Sequence, residues 1–349
     1  MNLQSLVIAG TVVASFLVLG RAAIADSSGV TISGPHVHEN LAVYFIHGPS
    51  TDGPVPLTLA EALEKGSVKI SETGEVNELK IENTGSEAVF IQAGDIVKGG
   101  RQDRTLTMSL IVPPHSGEVP LASFCVEHGR WSGRGGEDSA TFASAMEAVP
   151  SREAKLAMRA PMPVAASGAA GLGARDSVYE RQGRVWDSVA KMQRKFSESI
   201  NADVASPVSA TSLQLALENE KLNELRSAYV KALETAGGSE TDIIGYAFAV
   251  NGRLNSADIY ASHGLFRKMW PKQLQAAAAE AIGERGGAAK ANPSTGDVKA
   301  FLDEAKRGAA KETALNNQNR LETRESDNAV YFAAAPASGS FIHENYLAK

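Results

Sequence analysis

The chain has 349 residues, of which 43% are hydrophobic and 21% are charged, a composition typical of a soluble globular protein with a sizeable core. Its formal net charge is −6, so its overall charge does not favour binding to nucleic acid or to an anionic membrane surface. We therefore predict no nucleic-acid partner, while the sequence leaves protein partners open.

The N-terminus is typical of an export signal. Residues 6–19 form an apolar run that is too short for a comfortable membrane span, and Ala23 and Ala25 are the small residues that a signal peptidase reads. We predict a signal peptide over residues 1–25 and a periplasmic or secreted mature protein with no stable membrane span. An uncleaved anchor is the alternative, because no Lys or Arg precedes the apolar run.

Residues 26–131 are predicted to form a β-sandwich domain. Short apolar and β-branched runs alternate with turns, and one of them, residues 105–112, has an apolar residue at every second position from Leu106 to Val112. One short helix is expected at residues 58–66, "TLAEALEKG", which has the spacing of a capping box at its start and a glycine at its end.

Beyond this part the composition changes. Residues 132–175 are rich in Gly, Ala and Ser, and we predict a linker or a long loop there. Residues 176–349 are predicted to be mainly helical, with a β-hairpin at residues 242–259 that turns at Asn251-Gly252. The predicted fold class is α+β, an N-terminal antiparallel β-sandwich packed with a helical C-terminal part that contains a β-hairpin. The alternative is that both parts form one unit.

The stretch "KGGRQDRTL" brings a charged cluster to the start of an apolar strand. Strand alternation directs Arg104 toward the core, where a guanidinium needs a carboxylate or an anionic ligand. Asp95 and Glu127 are the partners that we expect, one or the other within salt-bridge distance of Arg104. The glycines before Arg101 would let backbone amides face an anion. A purely structural ion pair under a turn is the alternative.

The stretch "CVEHGRW" is the second cluster. Alternation points Cys125 and His128 to opposite faces, so we interpret Cys125 as a buried core residue and not as a nucleophile. Glu127 lies on the apolar side of the strand, where a carboxylate needs a partner. Arg130 and Trp131 add a cation and a stacking surface.

Together the two stretches define a predicted ligand site. Its members are Arg101, Gln102, Asp103, Arg104, Glu127, Arg130 and Trp131. If the protein is a hydrolase, Glu127 or Asp103 is the candidate base, and Arg101 or Arg104 would hold the anion.

No metal or cofactor is predicted. His36 and His38 share one face of a strand, which is similar to the histidines of cupins, but Glu39 follows His38 directly and the cupin spacing fails. The sequence has no phosphate loop, dinucleotide fingerprint or nucleophile elbow. Because Cys125 is the only cysteine, no internal disulfide forms.

As a set, the motifs resemble a bacterial family, the ADP-ribosylglycohydrolase (ARG) and rhodanese-phosphatase-superfamily-associated domain. The blocks "GGRQDR" and "CVEHGRW" are the most specific, and "ENLAVYF", "LTLAEALEKG", "GYAFAVNGRLNSADIY" and "LFRKMWPKQL" extend the similarity from about residue 30 to the C-terminus. The resemblance brings no established activity with it. The family name records an association with enzymes that act on ADP-ribose and on phosphate esters, which implies a nucleotide-derived or phosphorylated ligand by analogy.

We therefore expect an exported binding or scaffolding domain for a small anionic ligand. The alternatives are a hydrolase that uses an acidic base and an arginine anion clamp, and a structural envelope protein with no ligand. The sequence leaves open whether the protein catalyses a reaction.

The first testable expectation concerns export. N-terminal sequencing of the exported protein should begin at Asp26, because the small residues before it follow an apolar run of signal length. Recovery of only full-length, membrane-bound chain would instead support the anchor.

Overall fold

The computed structural model describes residues 29–134, 140–149, 151–158 and 172–349. The strands are β1 Thr31–His38, β2 Leu41–His47, β3 Leu57–Thr58, β4 Val68–Glu72, β5 Glu78–Asn83, β6 Val89–Ile91, β7 Asp95–Gly99, β8 Arg104–Leu106, β9 Leu110–Val112, β10 Gly117–Cys125, β11 Phe142–Ala148, β12 Ile243–Val250, β13 Arg253–Tyr260, β14 Lys311–Ala314, β15 Asn319–Glu325, β16 Ala329–Pro336 and β17 His343–Ala348. The helices are α1 Leu59–Glu64, α2 Arg152–Ala157, α3 Leu172–Ile200, α4 Leu213–Leu217, α5 Glu220–Leu233, α6 His263–Gly283 and α7 Thr295–Ala305. The predicted signal peptide lies outside the described residues.

The largest sheet has eight strands in the order β1-β2-β12-β13-β17-β16-β15-β14, and every neighbouring pair is antiparallel. All eight residues of β12 are buried, because apolar side chains cover both faces of the sheet. Helices α5 and α6 pack on one face and α7 on the other. Since β2 pairs with β12 of the C-terminal part of the chain, and β1 pairs with β2, the two predicted parts share this sheet.

The remaining strands form two smaller sheets. One has six strands in the order β11-β7-β8-β10-β5-β4, and the other has three in the order β3-β6-β9, in which β3 and β6 are parallel. The α+β class is thus confirmed, with sheets that are largely antiparallel. A sandwich over residues 26–131 is not confirmed, because the strands of that part are distributed over three sheets.

The local turn and capping signals are formed as the sequence predicts. Thr58 caps α1, and its hydroxyl oxygen and the Glu61 carboxylate complete the capping box. The β12–β13 hairpin turns at Asn251 and Gly252, both of which have a positive φ. Within the described residues, no helix is both long and apolar enough to cross a bilayer.

Two sequence predictions need correction. The alternating segment 105–112 is not one strand, because β8 and β9 belong to different sheets and the chain leaves the extended ladder between them. The predicted loop over residues 132–175 contains β11 and α2, since β11 pairs with β7 and α2 is capped by Ser151. Much of the rest of that segment lies outside the described residues.

Gly245 of β12 lies where the paired strand β13 leaves no room for a side chain. A Cβ atom on Gly245 of β12 would lie 2.3 Å from the carbonyl oxygen of Asp258 and 3.0 Å from the Cα of Ile259 on β13. Both contacts are to backbone atoms, so only movement of the paired strands could relieve them.

We expect Gly245→Ala to lower the free energy of unfolding by about 2 kcal/mol or more, because the overlap forces β12 and β13 apart. Gly183→Ala in α3 is the matched control. Its Cβ would meet no atom within 4 Å, and the change should stabilise the helix by about 0.5–1 kcal/mol. Urea denaturation measures both changes, and equal stability of the two variants would contradict the close packing at Gly245.

Candidate functional site

The two predicted motifs lie side by side, as expected. In the pairing of β8 with β10, Arg104 is opposite Cys125. Just outside this pairing, the backbone N–H of Asp103 donates to Glu127 Oε2 at 3.1 Å, and the N–H of Val126 donates to the carbonyl of Asp103 at 3.0 Å. One backbone hydrogen bond and one from a backbone N–H to a side-chain carboxylate therefore join the two motifs.

Arg104 is buried, with 1% of its surface exposed, but its partner differs from the one predicted. Its Nη2 lies 3.6 Å from Glu72 Oε2, and its Nη1 donates to the carbonyl of Val76 and to Cys125 Sγ. The guanidinium thus points toward β4 and its connection to β5.

Neither Glu127 nor Asp95 pairs with Arg104, so that prediction is wrong. Strand β10 ends at Cys125, and the alternation used in the prediction does not extend to Glu127. Asp95 instead accepts a hydrogen bond from the Lys272 ammonium of α6 at 2.8 Å.

The two candidate bases form a buried ion-pair cluster with two arginines. Asp103 and Glu127 have no exposed surface. Arg134 donates to both carboxylate oxygens of Asp103, at 2.7 and 2.9 Å, and Arg130 Nε donates to Glu127 at 2.7 Å. Two negative and two positive charges therefore compensate one another inside the protein.

Hydroxyl and carbonyl groups complete this cluster. Ser212 donates to Asp103 at 2.9 Å, and Ser209 donates to Glu127. The remaining guanidinium nitrogens of Arg130 donate to the carbonyls of Gly99 and Gly100, at 3.2 and 3.1 Å, and to that of Ser132. Arg130 has little donor capacity left for an external anion.

Burial raises the pKa of Asp103 above its ordinary value, and the adjacent charge of Glu127 acts in the same direction. The positive charge of Arg134 opposes this rise without cancelling it. Because both carboxylates are enclosed, the geometry favours a structural role for them over that of a base acting on a ligand.

Of the seven predicted site residues, Arg101 and Trp131 present substantial surface to solvent, and 55% of Trp131 is exposed. Gln102 is fully buried, and within the described residues its side-chain amide has no hydrogen-bond partner. The ligand-binding role of this group stays a prediction.

The interpretation of Cys125 as a core residue is confirmed. The thiol is buried, and burial raises the pKa of Cys125 to about 11, so it is not a ready nucleophile. His128 is exposed on the other side of the motif and packs on Trp186, with ring centroids 4.4 Å apart.

The histidines of β1 pack against aromatic rings, His36 on Phe45 and His38 on Tyr229. Across the described ranges, His47, Glu240 and Asp242 are the one group whose ligand atoms lie close enough together for a metal ion, and both carboxylates of that group are exposed. Exposed acidic groups of this kind are common in the absence of a metal.

A second candidate site lies where the three-stranded sheet meets the eight-stranded one. It is a cavity of about 50 Å³, lined by side chains from the β8–β9 break, α2, β13 and β17. This volume corresponds to room for roughly three or four water molecules. Its polar lining residues are Gln92, Thr107, Ser109, Lys155, Asp258, His343 and Asn345.

Ser109, His343 and Asp258 form a hydrogen-bonded chain along this cavity. Ser109 Oγ lies 2.9 Å from His343 Nδ1, and His343 Nε2 lies 2.8 Å from Asp258 Oδ1. The exposed fractions of these residues are 4%, 2% and 1%, respectively. The loop between β8 and β9 positions the serine, so the break in the predicted strand brings it to the histidine.

Asp258 is held by further donors. The Tyr246 hydroxyl donates to Oδ2 at 2.6 Å, and the amides of Asn345 and Gln92 donate to Oδ1 at 2.9 and 3.3 Å. Burial alone would raise the pKa of Asp258, but His343 and the positive charge of Lys155 outweigh it, so the pKa lies below its ordinary value.

Lys155, on α2, is the cation of the cavity. It is half-buried, and none of the described residues lies within hydrogen-bond or ion-pair distance of its ammonium group. Burial raises the pKa of Glu280 and the charge of Lys155 opposes that rise, while the same charge helps to lower the pKa of Asp258, but neither carboxylate contacts the ammonium group. By contrast, the arginines of the buried ion-pair cluster, Arg130 and Arg134, are paired with Glu127 and Asp103.

Sequence reasoning missed these cavity residues. A signal was present, because Asp258 interrupts a buried strand and His343 follows two apolar residues at the start of another. Nothing in the sequence indicated that the strands carrying them are neighbours or that Ser109 faces them.

The fold and the site define an α+β protein of largely antiparallel sheets, with a closed ion-pair cluster and a separate cavity lined by both polar and apolar side chains. The chain belongs to the ARG and Rhodanese-Phosphatase-superfamily-associated Protein domain family, ARPP-1, whose family model matches residues 29–347. The resemblance drawn from the motifs is thereby confirmed. No curated protein and no solved structure matches the chain.

We expect Arg104→Met to lower the free energy of unfolding by about 3 kcal/mol, because it removes one partner of a buried pair and leaves Glu72 uncompensated. Arg101→Met, at an exposed side chain three residues earlier, is the control and should change stability by no more than about 0.5 kcal/mol. Guanidinium denaturation measures both changes. Coincident midpoints would show that the Arg104 pair contributes nothing.

Proposed function

We propose that this protein is an exported domain that binds a small anionic ligand in the cavity beside Lys155. The single observation that carries the proposal is the ammonium group of Lys155, which lines the cavity and has no direct partner among the described residues. A half-buried cation has lost part of its hydration, so an anion beside it gains more than it would at an exposed lysine.

The surrounding carboxylates do not take the place of such a ligand. Both oxygens of Asp258 already accept hydrogen bonds from other side chains, and Glu280 accepts from the backbone N–H of Arg152. Among the described residues, therefore, nothing uses the N–H donors of Lys155, and we propose that a molecule entering the cavity does. The free volume accommodates a group of the size of a carboxylate, or part of a phosphate, with the rest of the ligand outside.

The predicted motif cluster is less suited to this role. Arg104, Arg130 and Arg134 donate to atoms of the protein itself, and Arg101 is the one arginine of the predicted site that is exposed. In this proposal the two motifs stabilise the fold. Arg101 and Trp131 form a second candidate surface, and substitution of Arg101 distinguishes it from the cavity.

Export is supported by residues 1–25 and by their apolar run. A phosphorylated or nucleotide-derived ligand is supported by analogy, through the enzymes that the family name mentions. The scaffolding role and the ligand-free structural role predict the same fold, but neither requires a cavity lysine that has no partner among the described residues.

We expect calorimetric titration of the protein with acetate, inorganic phosphate and ADP-ribose to show binding of at least one of them. Lys155→Met should weaken that binding by about tenfold or more, which corresponds to about 1.4 kcal/mol. The matched control is Lys191→Met on α3, whose exposed side chain pairs with Glu153 of α2, and it should leave the affinity unchanged.

Loss of binding in Arg101→Met, with Lys155→Met unaffected, would move the ligand to the motif cluster. If none of the three probes binds to the wild-type protein, the anion-binding proposal is overturned and the ligand-free structural role is favoured.

A further inference from the structure

We infer that Ser109, His343 and Asp258 form a nucleophile, a general base and a positioning carboxylate for the hydrolysis of short-chain carboxylic esters. This inference rests on the proposed function, because the anion that Lys155 receives would be formed within the same cavity. It differs from the hydrolase predicted from the sequence, which used Glu127 or Asp103 as its base.

The inference specifies one tautomer of His343, with the ring proton on Nε2. Ser109 Oγ accepts from the backbone N–H of Ala93 at 3.0 Å, and in this tautomer its own proton is donated to His343 Nδ1. His343 Nε2 then carries a proton and donates it to the Asp258 carboxylate. This is the proton arrangement that a serine needs to become a nucleophile, with the two ring nitrogens in the reverse of their order in serine proteases.

Two other buried serines lack such a chain of contacts. Ser123 and Ser256 are also buried, but within the described residues their hydroxyls have no hydrogen-bond partner. Ser109 has a base, the base has a carboxylate, and all three residues line a cavity that also contains a cation. A catalytic triad is recognised by these geometric roles and not by sequence position, which is why the absence of a nucleophile-elbow motif does not exclude one.

In the first step, Ser109 Oγ forms a bond to the carbonyl carbon of the ester and its proton moves to His343 Nδ1. The π electrons of the carbonyl move to its oxygen, and the resulting oxyanion is stabilised by Lys155. The ester C–O bond then breaks, and the departing alcohol takes the proton from His343.

In the second step, water attacks the acyl-serine and gives a proton to His343, which returns it to Ser109 Oγ as the carboxylic acid leaves. The products are one alcohol and one carboxylic acid, which ionises to the carboxylate that Lys155 can hold. The free volume of about 50 Å³ restricts the acyl group to one of roughly the size of acetyl.

Two measurements on the full chain test this inference. The first is covalent labelling with a small alkyl phosphonofluoridate, in which the serine oxygen displaces fluoride, followed by peptide mass spectrometry. We expect one adduct, on Ser109. The second is hydrolysis of 4-nitrophenyl acetate, which Ser109→Ala should abolish, whereas Ser123→Ala, at a buried serine outside the cavity, should retain it.

The partners of Ser109 have their own readouts. His343→Gln should slow labelling by about a hundredfold, the scale of general-base catalysis. In Asp258→Asn, the downfield proton NMR signal of the His343 Nε2–H should disappear and labelling should slow. Ser109→Cys keeps a nucleophile in place and should be alkylated by iodoacetamide faster than the buried Cys125 of the same chain.

Labelling of wild-type protein decides the question even if a variant fails to fold. An unlabelled Ser109, or an adduct only at another residue, overturns the inference. If anions bind in a Lys155-dependent manner while Ser109 stays unlabelled, the proposed binding function stands and the esterase inference falls. Labelled Ser109 without any anion binding would overturn the proposed binding function instead.

Discussion

The buried carboxylate of Asp258 is the constraint on which the site and much of the packing around it depend. It lies in the middle of the eight-stranded sheet, on β13, where an uncompensated charge would be strongly destabilising. Donors reach it from the neighbouring strands β12 and β17, and from Gln92 just after β6 of the three-stranded sheet. The same hydrogen bonds that satisfy the charge therefore join two sheets. The cavity at their junction has polar groups in its lining because the groups that surround this carboxylate face it.

The protein treats its two buried groups of charges differently. Around Asp103 and Glu127, each carboxylate has an arginine and a serine as partners, and the cluster is closed and neutral. Such a cluster fixes the path of the chain after β7 and β10, and it has little capacity to bind anything else. At the cavity, the carboxylate is satisfied but the lysine has no direct partner among the described residues. An unequal arrangement of this kind suits binding and chemistry, because the lysine donor is held in place without being used by any of the described residues.

Sequence patterns of short range were reliable here. The capping box of α1 and the Asn-Gly hairpin between β12 and β13 depend on contacts within a few residues, so their signals are complete in the sequence. Alternation was less reliable. It correctly directed Arg104 inward, but it chose the wrong carboxylate, because a strand's alternation stops where its hydrogen-bonded ladder stops, at Cys125. Alternation also predicted one strand over residues 105–112, although the ladder is interrupted between β8 and β9.

The sequence alone determined the α+β class, the β12–β13 hairpin, helix α1 and the burial of Cys125. It also determined that the two motifs lie side by side and that the chain belongs to its family. Only the tertiary structure decided that β2 pairs with β12, that Glu72 is the partner of Arg104, and that Ser109 meets His343. The physical reason is the distance along the chain. Ser109 and His343 are 234 residues apart, and no local preference encodes which distant strand becomes a neighbour. Burial of both sheet faces selects that neighbour, and the chemistry of the cavity is a consequence of the selection.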